Sequence, residues 1–333
     1  MAKTIVVTGS SGFIGRNVVK ELNSRGMDNL ILVDDLGTSD KWRNLLGLHY
    51  QDILAPRDFL RFVEQGKLCD IQSIIHLGAC SSTTERDADF LLRNNYHYTR
   101  TLCEWSLQND VRFVCASSAA TYGDGANGYS DSDIATPNLR PLNMYGYSKH
   151  LFDLWALKNK LFDKIVALKY FNVFGPHEDH KGDMRSVVSK SFDQIKRTGK
   201  VQLFKSYNPE YADGEQKRDF IYVKDAVAIT IFFATETNIG GLFNCGSGMA
   251  RTWNALVTAV YTAMRIPPNI EYIPMPEELR GKYQYFTEAD MNKVRAAGYT
   301  ADLHTLEDGV ADYIQNYYEE LSSESVGPSQ PRS

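Results

Sequence analysis

The chain has 333 residues, 43% hydrophobic and 23% charged, with 36 basic against 41 acidic residues and a formal charge of −5. That length allows one large or two modest domains with a full core. The acidic balance excludes a general attraction for nucleic acid or an anionic membrane, so an anionic ligand must be held by local groups, and no apolar run approaches the length of a membrane span.

The first element is an apolar run at 4–7 that reads as a buried parallel strand. Thr8-Gly9-Ser10-Ser11-Gly12-Phe13-Ile14-Gly15 follows, and then Phe13, Ile14, Val18, Val19 and Leu22 recur at helical spacing. The glycines therefore sit on a strand-to-helix turn. Gly9 permits the tight turn, Gly12 lets a pyrophosphate approach the backbone, and Gly15 lets helix and strand pack closely. Free N–H groups at the helix start favour an anion. A second apolar strand at 30–33 ends in Asp34-Asp35. Asp34 stands where a dinucleotide fold places an acid on the adenosine ribose. A carboxylate there accepts from a ribose 2′-hydroxyl and repels a 2′-phosphate. A lone glycine triplet is weak evidence, but strand, turn, helix and acid together read as a dinucleotide site.

A short third strand is expected at 48–50, a helix at 58–65 and a fourth strand at 71–77, followed by Gly78-Ala79-Cys80. A long helix at 90–108 carries Asn94 and Asn95, and a fifth strand at 111–116 ends at Ser117-Ser118. Residues 142–162 contain another helix, and a sixth strand at 165–170 ends at Phe171-Asn172. Strands alternating with helices imply an α/β fold, a Rossmann-type doubly wound parallel sheet with ligands at the carboxyl ends of its strands.

After Gly175-Pro176 the pattern changes. A helix at 186–197 and short strands at 201–204 and 270–273 read as a smaller, mostly C-terminal substrate-binding lobe. The expected division is a dinucleotide-binding domain at 1–175, with 219–245 returning to it, and a lobe built from 176–218 and 246–321. Residues 208–216 are polar, with Gly and Pro, and read as a loop. Residues 322–333 read as a disordered tail. Five scattered cysteines without a CxxC pair fit free thiols, and no metal site is expected. Met1-Ala2-Lys3 leads straight into the first strand without a signal-peptide pattern, so a cytoplasmic protein is expected.

Tyr145-Gly146-Tyr147-Ser148-Lys149 places Tyr145 and Lys149 on one helix face. A tyrosine is a poor base at neutral pH, since its pKa is about 10. A nearby ammonium stabilises phenolate, and Lys149 can also bond a nicotinamide ribose. Alone, such a pair reads as a surface pair. The dinucleotide turn upstream and Ser117-Ser118 at a strand end make it chemical.

These residues resemble the extended short-chain dehydrogenase/reductase superfamily. More specifically, His76-Leu77-Gly78-Ala79-Cys80-Ser81-Ser82-Thr83-Thr84-Glu85 resembles the HEGACSSTTE stretch of the ADP-L-glycero-D-manno-heptose 6-epimerases. So do Ser117-Ser118-Ala119-Ala120-Thr121-Tyr122-Gly123, Tyr170-Phe171-Asn172-Val173-Phe174-Gly175-Pro176, His180-Lys181-Gly182, Lys217-Arg218-Asp219-Phe220 and Tyr283-Gln284-Tyr285-Phe286-Thr287. The matches run in order from residue 4 to about 300. Leu77 departs from a frequent Glu, which bears on one cofactor contact, and the loop before Arg218 is longer.

The resemblance implies a nucleotide-sugar epimerase that inverts C6 of ADP-D-glycero-D-manno-heptose through a 6-keto intermediate, supplying heptose for lipopolysaccharide. It implies a homo-oligomer, often a pentamer in that family, with a tightly bound, recycled nicotinamide cofactor. It argues for NADP, with Lys41 and Arg57 as candidates beside a 2′-phosphate, so NADP is expected and NAD is expected to bind too. Tyr145 and Lys181 would be the two acid/base groups, Ser118 would orient the reacting oxygen, and Lys149 would tune Tyr145. Gly9, Gly12, Phe13, Ile14, Gly15, Asp34, Asp35, Lys41, Leu77, Gly78, Ala79, Cys80, Ser81, Asn94, Lys149 and Val173 would hold the cofactor. Ser118, Asn172, Asp183, Lys190, Phe204, Lys205, Ser206, Arg218 and Tyr283 would hold the substrate, Arg218 by a bidentate grip on phosphate.

Other readings are weaker. A 4,6-dehydratase needs carboxylates where this chain has Ser118-Ala119-Ala120. A hexose 4-epimerase, the nearer rival, gives no reason for the His180-Lys181 pair. A non-catalytic sensor or scaffold on this fold commonly loses Tyr-x-x-x-Lys.

Overall fold

β1 (Thr4–Thr8) is buried along its whole length, which sets the architecture: a strand apolar on both faces needs cover on both. Ile5 and Val7 pack with Val18, Val19 and Leu22 of the helix Phe13–Ser24. Val6 faces the other layer, with Phe59, Val63 and Leu102. The computed structural model describes residues 3–280 and 283–318.

The remaining strands are β2 (Leu30–Val33), β3 (Asp52–Leu54), β4 (Ile71–His76), β5 (Arg112–Ser118), β6 (Val166–Tyr170), β7 (Asn172–Phe174), β8 (Val201–Phe204), β9 (Lys217–Tyr222), β10 (Gly241–Cys245), β11 (Ala250–Thr252) and β12 (Ile270–Ile273). Seven of them form one sheet in the order β10-β6-β5-β4-β1-β2-β3. All its pairings are parallel. Strand order reverses between β1 and β4, so a crevice opens at their carboxyl ends. This is the doubly wound, Rossmann-type sheet expected from the sequence.

One local expectation needs correction. The third strand lies at Asp52–Leu54, not at 48–50. Gly47 turns the chain at φ +71°, and Leu48 N–H still bonds back to Leu45. Pairing with β2 starts only when Gln51 N–H reaches Leu30 O. The sixth strand ends at Tyr170, as expected, and residues 172–174 form β7, which pairs with β9. Within 219–245, the helix Val223–Ile231 packs against the helix Phe13–Ser24. β9 joins a three-stranded sheet ordered β11-β9-β7, and only β10 completes the seven-stranded sheet beside β6. β8 and β12 pair in parallel, as a second small sheet. The tail expected at 322–333 lies outside the described residues.

The helix Met144–Lys158 begins at Asn143, whose side chain accepts from Gly146 N–H at 2.8 Å. Such a cap contributes about 1 kcal/mol. The long helix expected at 90–108 is capped by Asp87 and contains a wider turn over Leu92–His97. Among the described residues no helix is long and apolar enough to cross a membrane. All five cysteines are free.

Candidate functional site

At the end of β1 the backbone of Gly9 turns at φ +68°, and a Cβ there would meet Gly78 N at 2.7 Å. The glycine turn and the end of β4 are thus in backbone contact, across the point where strand order reverses. A Cβ on Gly15 would sit 2.0 Å from Gly9 O, and one on Gly12 would sit 3.1 Å from it. The helix that follows has no side-chain cap and no acid in its first turn. Its positive end is left for an outside anion, so the residues present fit a dinucleotide pyrophosphate. Gly15→Ala is expected to weaken dinucleotide binding at least about tenfold, since the added methyl must displace the turn. Unchanged affinity in a binding titration would show that the close approach is not needed.

Below the turn, Gly78 N–H donates to Thr8 Oγ1 at 3.0 Å. Thr8 Oγ1 lies 2.6 Å from His76 Nδ1, and His76 Nε2 lies 2.8 Å from Thr99 Oγ1. Burial, with the nearby Lys149 charge, pushes the His76 imidazole down to about 3, so it is neutral and serves as a tie. Asn95 fixes the next loop: its side chain accepts from Cys80 N–H and donates to Cys80 O, each at 2.9 Å.

Asp34 Oδ2 accepts from Ser11 N–H at 2.8 Å and from Ser11 Oγ at 2.7 Å. Its Oδ1 lies 2.6 Å from Lys41 Nζ. The carboxylate is therefore tied to the glycine turn and neutralised by a cation.

A cavity of about 710 Å³ runs from this turn to the ends of β4, β5 and β6. Of the residues singled out from the sequence it brings together Gly9, Gly12, Phe13, Ile14, Gly15, Asp34, Lys41, Leu77, Gly78, Ala79, Cys80, Ser81, Ser118, Tyr145, Lys149, Asn172, Val173 and Lys181. Tyr145 and Lys149 come from the first turns of one helix, Ser118 from the last residue of β5, and Lys181 from the turn Asp179–Met184.

Burial raises the Tyr145 pKa above a phenol's ordinary value, while a hydrogen bond with Ser118 pulls it down. The ammonium of Lys149 donates to Ala116 O at 2.9 Å, held by the strand end. The influence expected of Lys149 on Tyr145 rests on its place one turn further along the same helix face. Lys181 lies with Nζ 5.0 Å above the Phe13 ring. Burial lowers its pKa; Glu178 opposes that and Lys190 adds to it. A lysine so placed gives up its proton more readily than a solvated one.

Nine expected site residues do not line this cavity: Asp35, Asn94, Asp183, Lys190, Phe204, Lys205, Ser206, Arg218 and Tyr283. Asp35 is exposed beyond β2. Asn94 donates to Asn95 Oδ1, so it is Asn95 that clamps the Cys80 loop. Asp183 is exposed on the Lys181 turn, and Lys190 lies on the helix Val187–Thr198. Phe204 ends β8; Lys205 and Ser206 follow it, with Ser206 N–H donating to Asp213. Arg218 donates to the Lys217 and Gln284 carbonyls, and its guanidinium lies 5.2 Å from the Tyr283 ring and 5.8 Å from that of Trp253. Among the described residues no carboxylate pairs with Arg218, and Tyr283 OH accepts from Trp253 Nε1. This buried cation stands beyond Trp253, which itself lines the cavity.

The sequence reading passed over His180, Met184, Arg185, Phe220 and Trp253, which also face the cavity. His180 stood beside Lys181 in a recognised motif, and Asn44 Nδ2 lies 3.1 Å from its Nδ1. Phe220 likewise stood in a recognised motif, beside Arg218 and Asp219, whereas Trp253 carried no signal that separates a cavity wall from core packing.

The profile of the family described as NAD dependent epimerase/dehydratase matches residues 5–246. A protein of Nitratidesulfovibrio vulgaris named ADP-L-glycero-D-manno-heptose-6-epimerase is 53% identical over 313 residues, 94% of this chain and 97% of that one. One of the same name from Fusobacterium nucleatum is 45% identical over 324 residues, again 94% and 97% of the two chains. The crystal structure of the Helicobacter pylori ADP-L-glycero-D-manno-heptose-6-epimerase superposes with a TM-score of 0.79 at 25% identity, covering 95% of this chain and 96% of that one.

Proposed function

The chain belongs to the NAD dependent epimerase/dehydratase family, and we propose that it is an isomerase that inverts C6 of ADP-D-glycero-D-manno-heptose to give ADP-L-glycero-D-manno-heptose, the form used in lipopolysaccharide. The observation that carries this reading is a single cavity in which two separated acid/base candidates, Tyr145 and Lys181, face one dinucleotide cradle. The 53% identical relative bearing the epimerase name supports it.

When bound, a nicotinamide dinucleotide supplies a hydride acceptor that also gives the hydride back, so no net oxidation occurs. The chain's residues do the rest. Gly9, Gly12 and Gly15 would leave the turn open to the dinucleotide's pyrophosphate, and Lys149 would hold its ribose. Ser118 orients the reacting oxygen, and Tyr145 and Lys181 hold or move its proton. Asn172 lines the cavity, and Arg218, a cation without a carboxylate partner among the described residues, is the group for the diphosphate.

A 4,6-dehydratase finds no carboxylate at Ser118-Ala119-Ala120. A hexose 4-epimerase remains the alternative. Incubation with ADP-D-glycero-D-manno-heptose, with the C6 configuration of the product read by NMR, tests the proposal. An unchanged heptose together with turnover of UDP-hexoses at C4 would replace it.

The cofactor is NADP, with NAD also accepted. Asp34 favours NAD, but Lys41 Nζ at 2.6 Å offsets its charge beside the adenosine ribose. A titration is expected to show NADP binding at least as tightly as NAD; NADP tenfold weaker than NAD reverses the assignment. The protein works in the cytoplasm as a homo-oligomer.

A further inference from the structure

Building on the function proposed above, we propose that Asp153 and Lys169 are positioning residues for the reaction: they hold the end of β5, with Ser118, in register with the helix face that carries Tyr145 and Lys149. Lys169 Nζ lies 2.8 Å from Asp153 Oδ2, and neither side chain has any exposure. Neither lines the cavity, so neither meets substrate.

Each member of the pair grips the strand end by a different route. Ser117 Oγ donates to Asp153 Oδ2 at 2.8 Å. Lys169 Nζ donates to Thr121 Oγ1 at 2.6 Å, and Thr121 Oγ1 donates to the Ser118 carbonyl at 2.8 Å. Asp153 lies four residues beyond Lys149 and eight beyond Tyr145 on the helix Met144–Lys158, so all three share a face. Lys149 closes the same frame from above by donating to Ala116 O. Three consecutive strand-end residues are thus held by side chains that trace back to one helix face and to Lys169 on the neighbouring strand β6.

Stability alone does not account for such a pair. Taking two charges wholly out of water offsets most of their attraction, and apolar residues of similar volume commonly serve stability as well or better. Asp153 Oδ1 is also buried with no hydrogen-bond partner among the described residues, an added cost. What the pair supplies is direction, since its bonds fix where the Ser118 backbone lies relative to Tyr145.

The test is the double variant Asp153→Leu/Lys169→Met. It is expected to fold with a melting temperature no more than a few degrees below the parent and to bind dinucleotide within about threefold. Its kcat is expected to fall about ten- to a hundredfold with KM nearly unchanged, because misplacing reacting groups by about an ångström costs on that order. Because the loss acts through Ser118, it should shrink to less than about threefold in a Ser118→Ala background. A folded double variant with parent kcat overturns the proposal, as does an undiminished loss in the Ser118→Ala background. If the double variant does not fold, Ser117→Ala/Thr121→Val cuts both links and leaves the ion pair intact. That variant is expected to lose kcat about tenfold at parent KM, and parent kcat there overturns the proposal. The function proposed above fails separately, if the parent protein itself gives no C6 inversion in the NMR product assay; Ser118→Ala at the parent rate overturns the positioning role and leaves that function standing.

Discussion

Lys181→Ala is expected to stop net inversion almost completely while leaving the fold and dinucleotide binding intact. Hydride leaves the sugar and returns from one direction, so inversion requires the keto group to present its other face. Rotation about the C5–C6 bond does this, but it carries the oxygen away from Tyr145. A second group must then take and give the proton at the oxygen's new position. Lys181 lies in a turn beyond the carboxyl end of β6, lines the same cavity as Tyr145, and is partly withdrawn from water above the Phe13 ring. An ordinary lysine, with a pKa near 10.4, is almost wholly protonated at neutral pH. Burial shifts Lys181 downward and Lys190 adds to the shift, against Glu178. The sign follows: a lysine base acts when deprotonated, so the parent rate should rise with pH through a limb below the ordinary lysine range. That limb should vanish in the variant. Loss of an acid/base group typically costs about a hundred- to ten-thousandfold. A single Tyr145-dependent oxidation should survive and show as transient nicotinamide absorbance. Interconversion of both epimers at close to the parent rate would remove Lys181 from the reaction.

Tyr145→Phe should lower turnover by about a hundred- to ten-thousandfold, equivalent to about 3 to 5 kcal/mol of barrier. The ring stays, so packing at the start of the helix Met144–Lys158 and the cofactor affinity should hardly change. Burial holds the phenol protonated in the resting site, with the Ser118 hydrogen bond as the counterweight. Tyr145 therefore starts as a donor. Unlike Lys181→Ala, this variant should show no transient nicotinamide signal from the epimer whose oxygen faces Tyr145. Near-normal turnover, or an undiminished transient, would take Tyr145 out of the mechanism.

The parts of the fold legible in the sequence are those whose cause is local. The apolar run of β1, the glycine spacing and the 3.6-residue period of Phe13, Val18 and Leu22 depend on neighbours a few residues away. Tyr145 and Lys149 share a face for the same reason, whatever surrounds them. Strand–helix alternation then leaves few topologies, and the parallel doubly wound sheet is one of them. Where a signal is short or the partner distant, the reading slips. Residues 48–50 look like a strand, yet the backbone partner on β2 is reached only at Gln51. Asn94 and Asn95 are equal in the sequence, but only Asn95 is turned toward the Cys80 loop.

By itself, then, the sequence determined the sheet class, the dinucleotide turn and the tyrosine–lysine pair, because each is set by backbone conformation and by spacing within one element. Only the tertiary structure decided what stands around them. It joined Gly9 to Gly78 across the switch in strand order, paired Asp34 with Lys41, and carried Lys181 to the cavity while leaving Arg218 beyond Trp253. It also buried Asp153 against Lys169, sixteen positions apart and on different elements. Those relations arise from packing between segments far apart along the chain, where one crossover or one turn sets the distance between side chains.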